Sequence, residues 1–320
     1  MRFSVVIPLY NKAKYIEKAM ASVFSQTCKD YEVIVIDDGS SDDSFHLASQ
    51  MGEIHPECRV IKQDNSGVAK TRNRGVEIAK GEFVCFLDAD DWWEEDFLYE
   101  IGALIDAFPD AGMYGTGFYI VKNGKKRVAP IGVEKGFQAG YINYYQTYAR
   151  TLCMPITSSS VAIPRELFIE LGGFKSQITL GEDFDLWVRI ALKHEVALVN
   201  KPLANYYQDV PTNRRATRRL HSPQNHMLWN LDYLDEEMDN NADLKLLLNR
   251  LRASGLYRYY LSRQYHEASL TQLAKIDWSL ISNKSYRIYH SPIWLQRFRF
   301  QFFSCAANVK SIILKFSFNS

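Results

Sequence analysis

Phe83-Val84-Cys85-Phe86-Leu87-Asp88-Ala89-Asp90-Asp91-Trp92-Trp93 is the stretch whose reading decides the fold. Its apolar, β-branched and aromatic lead-in predicts a buried strand over 82–87. The run stops abruptly at three carboxylates, Asp88, Asp90 and Asp91. Clustered acids cost folding free energy, because like charges repel and each must stay hydrated or paired. A divalent cation relieves that cost. Hard cations such as Mg²⁺ take oxygen ligands, commonly one or two carboxylates plus substrate phosphates. The plain alternative is a solvated turn, with Asp91 capping the helix that follows. The hydrophobic approach and the Trp92-Trp93 wall favour the metal reading.

Working outward, the first ~120 residues alternate between two periodicities. Strand-like segments fall at Phe3–Leu9, Tyr31–Asp37, 59–63 and 82–87, with 111–121 extended. Helical spacing falls at 13–25, 44–51, 67–79 and 96–107, the last stopped near Pro109. Repeated β-α units imply a mostly parallel sheet with helices on its faces. Ligands then bind beyond the carboxyl ends of the strands. Four polar segments sit at those ends: Tyr10-Asn11, Asp37-Asp38-Gly39-Ser40, Asn65-Ser66-Gly67 and Asp88–Asp91.

These tips suggest roles. Asp38 at a strand end suits a hydrogen bond from a base imide N–H, whereas Asp42, Asp43 and Ser44 read as helix-cap material. Arg72 falls in the second turn of its helix and suits bidentate phosphate contact; Lys70 reads as exposed surface. Further on, Gly181-Glu182-Asp183-Phe184-Asp185-Leu186-Trp187 opens an amphipathic helix over 182–193 with three acids. Capping and macrodipole chemistry accounts for acids there; a general base is the functional alternative. Neighbouring carboxylates raise a pKa and a helix N-terminus lowers it, which leaves the sign open.

The rest of the chain is less legible. Asn123-Gly124 signals a turn or hairpin. A strand over 157–163 and a helix over 165–171, stopped by Gly172-Gly173, are expected, and helical spacing resumes from about Gln224. We expect a catalytic domain over 1–220 and a mainly helical region over 221–320.

Bulk properties narrow the class. The chain has 320 residues, 38 Lys or Arg and 37 Asp or Glu, for a net charge of +1. No global field therefore points to nucleic acid. Five scattered cysteines with no CxxC pair read as reduced thiols, hence a cytoplasmic protein. The N-terminal apolar run is too short for a signal peptide. No stretch approaches the roughly 18 apolar residues of a spanning helix. Residues 284–320 carry six Lys or Arg, nine aromatics and no acid. That pattern suits either peripheral contact with the inner face of the plasma membrane or an inward-packed helix or homodimer interface. RFRFQFF within it alternates with period two, which leaves even its helicity open.

With these pieces together the chain resembles the family 2 glycosyltransferases of the GT-A fold. The resemblance rests on VVIPLYNKAKYIEKAMASVFSQT, YEVIVIDDGSSDDS, NSGVAKTRNRGVEIAKGEFVCFLDADDWW and GEDFDLW, in the family's order over roughly residues 1–200. It implies a Rossmann-like α/β fold with a helical C-terminal extension. It implies that Pro8, Tyr10 and Asp38 hold the nucleotide base, that Arg72 contacts nucleotide or diphosphate, and that Asp88 and Asp90 form the DxD, with Asp90 the direct ligand of Mn²⁺ or Mg²⁺. Asp183 matches the base that deprotonates the acceptor hydroxyl, with Glu182 beside it and Trp187 near the acceptor. Many relatives carry a Tyr-Arg-x-His-like segment where this chain has Asn205-Tyr206-Tyr207-Gln208-Asp209. His221 and the Arg214–Arg219 cluster are candidate substitutes for the absent histidine.

The implied reaction is inverting transfer of a sugar from a nucleotide sugar, UDP by family frequency, to a glycan or lipid-linked glycan in cell-surface polysaccharide synthesis. A nucleotidyltransferase is disfavoured, because the first strand runs into Pro-Leu-Tyr-Asn where a basic Gly-rich loop belongs. The same place lacks the GxGxxG of a dinucleotide oxidoreductase. A non-catalytic sugar-nucleotide scaffold predicts binding without turnover, and retention of both acid motifs disfavours it.

Overall fold

The computed structural model describes residues 1–209 and 220–300. Arg214–Arg219, Cys305 and the apolar residues after Phe300 lie outside them. The chain divides into two compact units, Met1–Glu237 and Met238–Ser320.

The first unit follows the alternating pattern: β1 Phe3–Leu9, α1 Ile16–Phe24, β2 Tyr31–Asp37, α2 Ser44–Glu53, β3 Cys58–Lys62, α3 Val68–Glu77 and β4 Phe83–Phe86. After the acid cluster come β5 Trp92–Trp93, α4 Phe97–Ala107, β6 Ala111–Lys122, β7 Lys125–Val128, β8 Ala139–Ile142 and α5 Tyr144–Thr151. A 3₁₀ turn at Ser158–Ser160 leads to β9 Val161–Pro164, α6 Arg165–Glu170, α7 Glu182–Ala191 and β10 Glu195–Tyr207. Short 3₁₀ turns precede α8 Asp235–Asn240, so the helical spacing expected from Gln224 becomes α-helix only there.

The strands form one sheet in the order β3-β2-β1-β4-β9-β6-β10-β5, with β7 on β6 and β8 on β10. β3, β2, β1 and β4 run parallel, as do β6 and β10. β9 lies antiparallel between β4 and β6. β1 and β2 are buried on both faces (Val5, Val6, Ile7, Val33, Ile34 and Val35 are 0% exposed), which is why their sequence is a continuous apolar run and not an alternation. Each such side chain contributes roughly 1.5–3 kcal/mol by burial. Register then aligns the tips. Leu9 pairs with Asp37, Asp37 with Lys62, and Val6 with Phe86. The segments after β1, β2, β3 and β4 therefore leave one edge of the sheet together.

Two expectations need correction. Asp91 does not cap a helix: β5 intervenes, and Asp96 holds the N-cap position of α4. The expected strand over 157–163 starts only at Val161, because Thr157 and Ser160 form a reciprocal capping box around a 3₁₀ turn. Asn123 and Gly124, with φ of 51° and 68°, do turn a hairpin from β6 into β7.

The second unit is helical, with α9 Ala242–Gly255, α10 Tyr257–Leu261, α11 His266–Leu273 and α12 Asn283–Tyr289. Helical backbone also runs over 293–300. The Asn241 side chain caps α9 by accepting from Leu244 N. Asp277 N donates to Asn249 at 2.6 Å, fixing the segment after α11 against α9.

Candidate active site

The β1–α1 loop carries Tyr10, 49% exposed, on a backbone clamped by Asn11 at φ 51°. Asn11 N donates to Ser40 Oγ at 3.0 Å and Asn11 Oδ1 accepts from Ser41 N at 2.8 Å, stitching this loop to the one after β2. Pro8 lies half-buried in β1. Asp38 is buried at the β2 tip. Its Oδ1 accepts from Gln63 Nε2 and Ser66 N, both at 2.8 Å, and its Oδ2 accepts from Gly67 N at 2.9 Å. Burial works against its charge, yet these donors hold its pKa below the ordinary value. Asp38 thus pins the 65–67 loop, and Gly39 at φ 74° permits the close approach, since a Cβ there would meet Asn65 N at 3.1 Å. Among the described residues, the strand-tip acceptor without a partner is Asp37 Oδ1.

Arg72 joins the two acid motifs. It is 3% exposed; Nη2 donates to Asp88 Oδ1 at 2.6 Å and Nη1 to Glu182 Oε1 at 2.8 Å. Its face lies over the Phe174 ring at 5.4 Å. Burial opposes its charge, but Asp88 and Glu182 push its pKa above the ordinary value. A planar fork can serve two carboxylates at once, which an ammonium cannot do as well. Residues 110 positions apart are brought to one place by this side chain.

Asp90, whose side chain is 18% exposed, pairs with Lys12. Asp91 is buried: Oδ2 accepts from Ser159 Oγ at 2.6 Å and Oδ1 from Tyr207 N at 2.8 Å. Ser159 Oγ also accepts from Asp88 N at 3.1 Å, so one hydroxyl fixes both ends of the acid loop. Burial, then the neighbouring acids, push Asp91 well above its ordinary pKa. Asp90 is raised by burial and Asp88, with Lys12 opposing. Such a site favours added positive charge. Asp88 and Asp90 offer only oxygen donors, which fits a hard divalent ion held by one or two carboxylates together with a diphosphate. Among the described residues, no three His, Cys, Asp or Glu side chains converge as a self-sufficient metal cage.

Asp183, half-buried at the start of α7, accepts from Phe184 N at 2.8 Å. Burial and the Glu182 charge, against Arg72, push it up to about 7. Gly181 precedes it at φ 86°, packed on Met227. The third acid of the motif is separate: Asp185 is fully buried and bound by Lys175, Arg189 and Tyr233. Trp187 is also fully buried, its Nε1 donating to Ile156 O at 3.0 Å and its ring against Phe174. It has no surface to offer an acceptor. Phe184, Leu186, Val188 and Ile190 of α7 are buried with it. His221 lies 3.0 Å from Thr179 Oγ1.

Sequence reasoning missed Lys12 and Ser159. Both act on the acid loop from more than 65 positions away. The only local signals were a cation just past β1 and the hydroxyl run Thr157–Ser160.

A sheet whose strand tips carry these acids, with β9 antiparallel in its middle, defines the GT-A class of fold. The chain belongs to glycosyl transferase family 2, whose family model matches residues 4–172. The amylovoran biosynthesis glycosyltransferase AmsB of Erwinia amylovora is 29% identical over 222 residues, 64% of this chain and 69% of that protein. Glycosyltransferase GlyA of Streptococcus pneumoniae is 35% identical over 97 residues, 30% of this chain and 14% of that protein. This chain spans only 14% to 27% of the length of three such relatives. The crystal structure of S. aureus TarS 1–349 in complex with UDP-GlcNAc superposes with a TM-score of 0.71 at 20% identity, covering 89% of this chain and 83% of that one.

Proposed function

We propose that the protein is an inverting glycosyltransferase that moves a sugar from a UDP-sugar to a hydroxyl of a glycan or lipid-linked glycan in cell-surface polysaccharide synthesis. The observation that carries this is the Asp88–Arg72–Glu182 bridge, which ties the acid loop after β4 to the first turn of the helix bearing Asp183. TarS, similar in fold, is bound to UDP-GlcNAc, and AmsB, similar in sequence, is named for amylovoran biosynthesis; both support a nucleotide sugar and a polysaccharide product.

In this reading Pro8, Tyr10 and the Asp38-pinned loop receive the base. Asp88 and Asp90 would hold a divalent cation, which when bound neutralises charge on the diphosphate. Asp183 accepts the proton of the acceptor hydroxyl as that oxygen bonds to the anomeric carbon. The bond from that carbon to the diphosphate oxygen breaks with its electron pair, and the nucleoside diphosphate leaves. One displacement inverts the anomeric configuration. A base near pKa 7 is matched to this duty at neutral pH. Arg72 fixes Asp88 and Glu182 and so positions both sides of the reaction. A thermal-shift panel of UDP, GDP, TDP and their sugars, with and without Mn²⁺, tests the donor. Stabilisation by UDP-sugars that requires the ion is expected; equal indifference to every nucleotide overturns the reading.

A further inference from the structure

The second unit carries its own cleft, of about 560 Å³, lined by Tyr257, Lys284, Arg287, Gln296, Arg299 and Phe300 among others. Tyr257 and Phe300 meet edge to face at one end, with ring centroids 6.1 Å apart. Among the described residues, these three cations line the cleft without a carboxylate beside them. No Asp or Glu follows Asp277 in the sequence, and among the described residues none of the three pairs with a carboxylate. Gln296 adds a second observation. It is 2% exposed, and among the described residues its Nε2 has no hydrogen-bond partner. An amide NH₂ is a donor. A buried donor without an acceptor, beside three unpaired cations, describes a place for an anionic oxygen group. Arg and Lys clusters of this kind suit phosphate.

The surroundings indicate which phosphate. Over 293–300 the backbone is helical, and Trp294 and Phe298, one turn apart on the same side, are 68% and 64% exposed. Phe300 at the cleft is 42% exposed. Large apolar side chains left in water next to cations mark an interaction surface. Aromatics interleaved with Arg and Lys match the headgroup level of a bilayer, where apolar rings sit below and cations meet anionic lipid. Among the described residues no helix is long and apolar enough to cross a membrane.

We propose that this cleft seats the headgroup phosphate of an anionic phospholipid, with Trp294 and Phe298 entering the interfacial layer beside it. Lys284, Arg287 and Arg299 supply the charge and Gln296 the directed donor. The site is independent of the catalytic reading, since every residue it uses lies in the second unit.

The full-length protein is sedimented with vesicles of phosphatidylcholine alone, and of phosphatidylcholine with about a third phosphatidylglycerol. Binding is expected only to the anionic vesicles, falling with salt. Each of Lys284→Gln, Arg287→Gln and Arg299→Gln should weaken it about fivefold. Gln296→Leu keeps the side chain's bulk and should lower the preference for phosphatidylglycerol. The pair Trp294→Ser and Phe298→Ser should weaken binding with all cations in place. Circular dichroism and donor-dependent transfer to a soluble acceptor check that each variant is folded. Equal binding to neutral vesicles overturns the proposal, and so does undiminished anionic binding by a variant that combines Lys284→Gln, Arg287→Gln and Arg299→Gln. Inorganic phosphate binding by a protein that ignores vesicles would assign the cleft to a soluble ligand instead. A change of oligomeric state in the charge variants without lipid would assign it to a second copy.

Discussion

Replacing Asp183 by Asn removes one oxygen's charge from the start of α7 and leaves the volume unchanged. In the folded protein burial and Glu182 carry this carboxyl from an ordinary 3.8 to about 7, against the pull of Arg72 and Phe184 N. A folded-state pKa above the unfolded value means that the fold binds the proton more tightly. The folded state is therefore penalised as pH rises from about 4 through about 7, and the full penalty stands above that. It is on the order of 4 kcal/mol for a shift of this size. Partial solvent access at the cleft reduces it to about 2–4 kcal/mol. Asp183→Asn should accordingly be more stable than the wild type at pH 8 and nearly equal to it at pH 4. Loss of a general base should cost about 10²- to 10⁴-fold in transfer. Wild-type transfer should fall about tenfold per pH unit below about 7, with donor affinity unaffected by the substitution. The assays are urea unfolding at the two pH values, UDP binding, and transfer to acceptor. Normal turnover in the variant refutes the base assignment. A variant less stable than the wild type at pH 8 refutes the electrostatic reasoning.

Three further substitutions probe the surrounding scaffold. Arg72→Met leaves Asp88 and Glu182 as unpaired partly buried acids, and urea unfolding should show a loss of about 3–5 kcal/mol; Arg72→Lys should restore little, because one ammonium cannot reproduce the two-pronged contact. Ser159→Ala takes away the donor to Asp91 and the acceptor of Asp88 N, for about 1–3 kcal/mol of stability and a raised KM for the donor; an unchanged KM would detach Ser159 from the acid loop's alignment. Trp187→Phe orphans the Ile156 carbonyl and should cost about 1–3 kcal/mol with acceptor preference preserved; altered acceptor choice at full stability would return Trp187 to the cleft wall.

The parallel half of the sheet was legible because its strands are buried on both faces and its helices are one-sided. β1 and β2 begin and end where the apolar runs do. β10 was not legible. Asn200 and Pro202 interrupt Glu195–Tyr207, and its register shifts around Pro202 absorb them, held by β6 on one side and β8 and β5 on the other. β5 is two residues long and exists only through its pairing with Ala204 and Asn205. α5 is rich in tyrosine, a residue neutral between helix and strand, and buries Tyr144, Tyr145 and Tyr148. At the site, the strand-end acids and the ED pair announced themselves because acids at buried element ends are expensive. Their partners did not, since Lys12 and Ser159 are ordinary residues until the fold brings them to Asp90 and Asp91. Arg72 was assigned to phosphate from its place in α3; its pairing with two carboxylates far apart in sequence could not be read there. Trp187 belonged to an apolar face whose full burial no local pattern could separate from a ligand-facing one.

On the proposed function, the acid loop after β4 receives a cation-held nucleoside diphosphate. Calorimetric titration of UDP into the wild type and into Asp90→Asn, each in Mn²⁺ and in EDTA, addresses it directly. Mn²⁺-dependent binding by the wild type, lost in Asp90→Asn, is the predicted result. UDP affinity that ignores both the ion and the substitution would contradict it.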